Sequence, residues 1–182
     1  MRQLLLALSL VFTLATAHAE IVRLAPDFTF PGLDNKPQSL KGLRGQPVVL
    51  IIAKSPKTRQ LKEQTKNLKE IFQQFANKRV LFVAAFTGES GLVKSDIPFV
   101  IANNGPAVAS AYGLQDSVNQ GGAASRLLKK AVATAHGAWD PFNVVIIGRD
   151  GNIDYQTDQV LPSGRIRDII QNSYAVQADT GR

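Results

Sequence analysis

The sequence predicts an α/β domain, and three observations carry that prediction. Two continuous apolar runs, Val48–Ala53 and Val80–Phe86, flank a segment whose apolar residues recur at helical spacing, the pattern of a βαβ unit. A third run, Val144–Ile147, reaches the turn residues Arg149-Asp150-Gly151-Asn152 and continues into Ile153–Thr157, the pattern of an antiparallel hairpin. No repeat, low-complexity tract or linker interrupts the 182 residues, so one domain is expected, since single domains hold about 100–200 residues.

Residues 1–19 stand apart from that domain. Arg2, the apolar run from Leu4 to Ala17 and the small-x-small Ala17-His18-Ala19 read as a secretory signal peptide. The run is broken by Ser9, Thr13 and Thr16 and is shorter than the roughly 20 residues that span a bilayer. The expected products are a mature chain from Glu20, a domain over 20–174 and a loose tail over 175–182.

Within the domain, Phe28-Thr29-Phe30 alternates with polar neighbours, and Pro31-Gly32 and Asp34-Asn35 supply turn chemistry before Gln38-Ser39-Leu40. A short hairpin is expected there, closed by Gly42 and Gly45. Val48–Ala53, bounded by Pro47 and Pro56, has the composition of a central strand buried on both faces. Ser55-Pro56 offers an N-cap followed by proline at the first helical position, so a helix is expected to start there. Leu61, Thr65, Leu68, Phe72 and Phe75 give it one apolar face, and Asn77-Lys78 ends it.

Beyond the second strand, Pro98–Ile101 is a short extended piece. Asn103-Asn104-Gly105 turns the chain into a helix opened by Pro106 and ended by Gly113. The stretch 115–138 reads as an insertion. Its Ala123–Ala135 segment places Leu127, Leu128, Ala131, Val132 and Ala135 on one face and Arg126, Lys129 and Lys130 on another, a basic amphipathic helix. After the third strand and its hairpin, Pro162-Ser163 opens a last helix with Ile166, Ile169 and Ile170 on its inner side.

Composition narrows the chemistry. The chain has no cysteine, which excludes a thiol nucleophile, a resolving thiol and a Cys-ligated metal. Of its two histidines His18 leaves with the leader, so no histidine-rich metal site can form, and no cofactor is expected. The formal charge of +7 falls to +6 when Arg2 is removed, because residues 1–19 hold no other charged side chain. A basic excess favours anionic partners, with an envelope protein or anionic surface as the expectation for an exported chain rather than nucleic acid.

The order of elements, together with the local wording, resembles the thioredoxin-like superfamily and, within it, the redoxins. Ala25-Pro26-Asp27-Phe28 and Gly32-Leu33-Asp34 resemble the opening of peroxiredoxins and of exported thiol–disulfide oxidoreductases of cytochrome maturation. So does the stretch from Ser39-Leu40 through Leu43-Arg44-Gly45 to Pro47-Val48-Val49-Leu50. Pro98–Ile101 through Ala111-Tyr112-Gly113-Leu114, and Val145–Gly151, are similar to later segments of the same family. The resemblance covers most of residues 25–173 and implies a three-layer sandwich: a mixed central sheet, flanking helices and an N-terminal hairpin extension.

The resemblance stops where the family does its chemistry. A redox-active member carries Cys-x-x-Cys or a single peroxidatic Cys between the central strand and the long helix, because a helix N-terminus stabilises a thiolate. Here the segment reads Lys54-Ser55-Pro56-Lys57-Thr58-Arg59. Ser55 and Thr58 keep the spacing of the two sulfurs if the preceding loop is about two residues shorter than usual; without that gap Lys57 falls at the first Cys position. The family's cis-proline has a candidate in Pro141, one residue early relative to the Arg149-Asp150-Gly151 turn.

These residues imply a redox-inactive binding or accessory protein more readily than an enzyme. Thiol peroxidase and disulfide oxidoreductase activity are excluded, since a hydroxyl forms no disulfide and ionises far above a thiol. A partner role beside a cysteine-bearing redox enzyme is one alternative. A non-thiol enzyme using Ser55 or Thr58, with Lys57 or His136 as base, is another. Candidate anion-binding residues are Lys54, Lys57 and Arg59 near the helix start and Arg126, Lys129 and Lys130 on the insertion. Ser55 itself is most simply an N-cap, and Trp139 a core or cleft wall.

Overall fold

Alternation along three apolar strands sorts the molecule into layers. The computed structural model describes residues 23–32, 36–75, 78–114 and 141–179. The leader at 1–19, the Leu33–Asn35 turn and the 115–138 insertion with its Ala123–Ala135 helix lie outside them, as do His136, Trp139 and Asp140. A five-stranded sheet is formed by β3 (Val48–Ala53), β4 (Leu81–Phe86), β5 (Phe99–Ile101), β6 (Phe142–Ile147) and β7 (Ile153–Thr157), in the order β5-β4-β3-β6-β7. β4 runs parallel to β3 and β5 parallel to β4, whereas β6 is antiparallel to β3 and β7 to β6, so the sheet is mixed.

Every residue of β3 and β6 is buried, as the apolar runs Val48–Ala53 and Val144–Ile147 require. Because side chains alternate across a strand, Val49, Ile51 and Ala53 join Val144 and Ile146 on one face, and Val48, Leu50 and Ile52 join Val145 and Ile147 on the other. The first face is covered by α1 (Arg59–Phe72) and α3 (Ser163–Asp179), through Leu61, Leu68, Ile71, Ile166, Ile169 and Ile170. The second is covered by α2 (Gly105–Ala111) and the N-terminal hairpin of β1 (Thr29–Pro31) and β2 (Pro37–Ser39), through Val108, Ala109, Phe28, Phe30 and Leu40. This is the predicted three-layer sandwich with its hairpin extension, in register Phe30↔Gln38.

Three details depart from the sequence reading. The buried face of α1 holds Leu61, Gln64, Leu68 and Ile71, while Thr65 and Phe72 are only half-buried. The helix is rotated toward the loop before α3, where Gln64 Nε2 donates to the Leu161 carbonyl at 3.2 Å and its Oε1 accepts from Leu161 N–H at 2.7 Å. A buried amide in a position that reads as polar surface thus ties α1 to α3. Gln64→Ala is expected to orphan the Leu161 N–H and open a void, costing about 2–4 kcal/mol. Denaturant titration of the two proteins measures it.

Second, the last helix extends to Asp179, beyond residue 175, where the tail was expected to begin. Third, α2 opens at Gly105 rather than Pro106. Asn104 holds a left-handed conformation (φ 51°) and its side chain accepts from Ala107 N–H at 3.3 Å, capping the helix one residue earlier. At the other end of α2, Tyr112 is buried, donates to the Pro26 carbonyl at 3.0 Å and packs edge-on against Phe28 at 6.3 Å. Burial raises its phenol pKa above the ordinary value, and nearby Asp27 adds to the effect.

Candidate functional site

Ala53 ends the central strand, and the residues after it form the edge where the family's chemistry would sit. The expected helix start at Ser55 is not observed: α1 begins at Arg59, and Thr58 occupies the N-cap position. Ser55-Pro56-Lys57-Thr58 folds instead into a tight turn in which Thr58 N–H donates to the Ser55 carbonyl at 3.1 Å. Proline's fixed φ suits the second position of such a turn as well as the first position of a helix. Here two hydroxyls decide for the turn. Thr58 Oγ1 accepts from Ser55 N–H at 3.2 Å, and Ser55 Oγ accepts from Lys57 N–H at 3.3 Å. Thr58 therefore reaches back into the turn and makes no side-chain cap to α1.

Neighbouring backbone closes over this turn. Thr87 N–H donates to the Ala53 carbonyl at 3.0 Å and Gly88 N–H to the Lys54 carbonyl at 2.9 Å, extending β4's pairing past its end. A side chain added at Gly91 would come within 3.2 Å of Pro56 Cγ. Thr58 is buried, Ser55 and Pro56 are half-buried, and Lys54, Lys57 and Arg59 are exposed. Lys57 Nζ pairs with the Glu89 carboxylate at 3.3 Å, so the loop after β4 offsets one of the three charges proposed for an anion site. Both partners are exposed, where such pairs contribute little to stability.

Pro141 directly precedes Phe142, the register partner of Ala53, so it stands at the same end of the sheet as the Ser55–Thr58 turn. No cis peptide bond occurs among the described residues; the bond into Pro141 comes from Asp140, outside them. Asn143, the partner of Ile52, is buried, and its Oδ1 meets no hydrogen-bond donor among the described residues. In the sequence, a polar side chain between Phe142 and the Val144–Ile147 run is the signal that marks Asn143. Arg126, Lys129 and Lys130 fall outside the described residues.

Chemically, the edge offers two hydroxyls. Among the described residues, neither Ser55 Oγ nor Thr58 Oγ1 is hydrogen-bonded to a group that could remove its proton, and Lys57 Nζ is held by Glu89. No cluster of three or more His, Asp or Glu side chains forms a metal cage among them. Far from this edge, at the start of β3, a second concavity is lined by Arg44, Gly45, Gln46, Lys78, Arg79, Arg149 and Tyr174. Its residues come from four separate segments, and only the folded chain brings them together.

Comparison with known proteins follows the same lines. The sequence profile of the AhpC/TSA family matches residues 21–156. No curated protein is similar enough in sequence to match. Among solved structures, a protein designated thiol:disulfide interchange protein DsbE from Chlorobium tepidum is 14% identical with a TM-score of 0.56, covering 84% of this chain and 96% of its own. Peroxidoxin BcpB from Mycobacterium tuberculosis is 15% identical with a TM-score of 0.54, covering 85% and 96%. A protein designated a disulfide isomerase from Bacteroides thetaiotaomicron is 18% identical with a TM-score of 0.57, covering 86% and 94%. At these identities the likeness speaks for the thioredoxin-like fold alone.

Proposed function

The chain belongs to the AhpC/TSA family and has the thioredoxin-like fold without a single cysteine, and on that footing we propose that it is an exported, redox-inactive binding or accessory protein of the cell envelope. The supporting observation is the Ser55–Thr58 turn. Where a redox-active relative needs a thiolate, this chain has two hydroxyls hydrogen-bonded within the turn, and among the described residues neither is hydrogen-bonded to a base. Export is supported by Arg2, the Leu4–Ala17 run and the Ala17-His18-Ala19 cleavage pattern. No helix among the described residues is long and apolar enough to cross a membrane. The basic excess favours an anionic partner or surface.

A second reading makes the protein an accessory of a cysteine-bearing thiol–disulfide oxidoreductase or peroxiredoxin. It is favoured by the retention of the sheet, α1 and the turn around a position that lacks sulfur. One experiment addresses both. The full chain is expressed with its own leader in a bacterial host, the envelope fraction is analysed by intact mass, and the recovered protein serves as crosslinking bait in that fraction. The expected product begins at Glu20. An uncut chain confined to the cytoplasm overturns export, and capture of a cysteine-bearing oxidoreductase selects the second reading over the first.

A further inference from the structure

We propose that the cleft at the start of the central strand is a binding site for a phosphate group carrying at least two negative charges. The cleft encloses about 400 Å³ and is lined by Arg44, Gly45, Gln46, Lys78, Arg79, Arg149 and Tyr174. Four of these seven residues are cations and none is an acid. Among the described residues, no carboxylate comes within ion-pair distance of Arg44, Lys78, Arg79 or Arg149. Elsewhere on this protein, exposed Lys41, Lys57, Lys69 and Arg167 each have a carboxylate partner. A convergent group of like charges without a counter-ion repels itself and draws in an anion.

Two of the four cations, Arg149 and Lys78, are held in place. Arg149 donates from Nε to the Gly45 carbonyl at 3.0 Å, and its backbone N–H donates to Ser173 Oγ at 3.2 Å. Gly45 N–H donates to the Arg149 carbonyl at 2.7 Å, and Gly45's φ of 95° allows the turn that brings the two segments together. The guanidinium lies 4.9 Å from the Tyr174 ring centre and the Lys78 ammonium 5.1 Å from it, while the Tyr174 hydroxyl donates to the Lys78 carbonyl. Lys78, Arg149 and Tyr174 are all half-buried, so two of the charges are partly withdrawn from water. Burial raises the Tyr174 phenol pKa, against the pull of Arg149, so the ring supplies no internal anion.

Arg79 adds a different kind of observation. Its φ of 48° is left-handed, a conformation that glycine or asparagine takes more readily, yet the position carries a guanidinium. Guanidinium forks match phosphate oxygens in pairs, and three arginines with one lysine around a single cavity suit a phosphate better than a carboxylate. The shared chemistry is the phosphate group; it can be carried by a soluble molecule or by a lipid headgroup.

The test uses the purified protein, inorganic pyrophosphate, and vesicles of phosphatidylcholine with or without phosphatidic acid. Arg44→Glu with Arg79→Gly reverses one exposed charge and removes another. Glycine at 79 also fits the left-handed backbone, so the thermal midpoint should hold or rise while pyrophosphate binding at low salt weakens by about tenfold or more. Backbone amide shifts on titration should concentrate at 44–46, 78–79 and 149. Pyrophosphate binding together with binding to phosphatidic acid vesicles assigns a headgroup, and pyrophosphate binding alone assigns a soluble phosphate. No pyrophosphate binding, or equal binding by parent and variant, overturns the proposal.

Discussion

With Ser55→Cys and Thr58→Cys introduced together, the protein should form a disulfide within the turn and acquire a thiol–disulfide exchange activity that the parent lacks. The two residues are the first and last of a hydrogen-bonded four-residue turn, whose ends lie within about 7 Å, and a disulfide spans Cα separations of about 4.4–6.8 Å. Ser55 is half-buried and reachable by substrate, whereas Thr58 is buried at the mouth of α1, the arrangement of an attacking and a resolving thiol. The attacking thiol should titrate below the ordinary value of about 8.5, because Lys54, Lys57 and Arg59 are close by in sequence. The depression should be modest, since α1 starts only at Arg59 and Glu89 offsets Lys57. Ellman titration against pH, with disulfide quantified by mass, reads the outcome. Two ordinary thiols that stay reduced in oxidising buffer would show that Ser55 and Thr58 do not stand in for the family's cysteines.

Replacing Gly105 with alanine should cost about 3 kcal/mol or more. A Cβ there would lie 2.0 Å from the Phe86 carbonyl oxygen and 2.6 Å from the Phe86 carbonyl carbon and nitrogen. Those are backbone atoms of the last residue of β4, held in register with Ala53 of β3, and they cannot rotate away as a side-chain tip could. The helix has to withdraw, taking Val108, Ala109 and the neighbouring Tyr112 out of the second core layer. Overpacking typically costs about 1–3 kcal/mol, and a rigid partner puts this site at or beyond the upper end. At about 2–4 °C per kcal/mol for domains of this size, the thermal midpoint should fall by at least about 6 °C. A loss under about 1 kcal/mol in denaturant titration would mean that α2 does not approach β4 so closely.

Most of the fold was legible because its strongest elements announce themselves twice, by run and by boundary. Val48–Ala53 is apolar throughout and bracketed by prolines, and the strand occupies those same residues. Gly105 was read as a turn residue, yet its need for glycine lies in a contact with Phe86 that no local pattern encodes. Gln64 was hidden for a related reason: an amide on a helix looks like surface until the loop at Leu161 folds against it. At the candidate edge the sequence points to residues 54–59 and to an N-cap at Ser55, and two hydroxyl hydrogen bonds make a turn there instead. The basic cleft was not legible at all, because Arg44, Lys78, Arg79 and Arg149 are scattered across three loops and none stands out alone.

The Ser55–Thr58 turn joins the central strand to α1 through hydrogen bonds of its own. The backbone N–H groups of Ser55, Lys57 and Thr58 all find acceptors inside the turn, and its outer walls are backbone contacts from Thr87 and Gly88 to Ala53 and Lys54. Nothing in those contacts asks for sulfur. The shape of the joint rests instead on oxygen acceptors at 55 and 58, so a replacement at either position has to supply an acceptor or give up a hydrogen bond of the turn. A strand-to-helix joint closed by its own hydroxyls keeps its form without calling on any side chain beyond it.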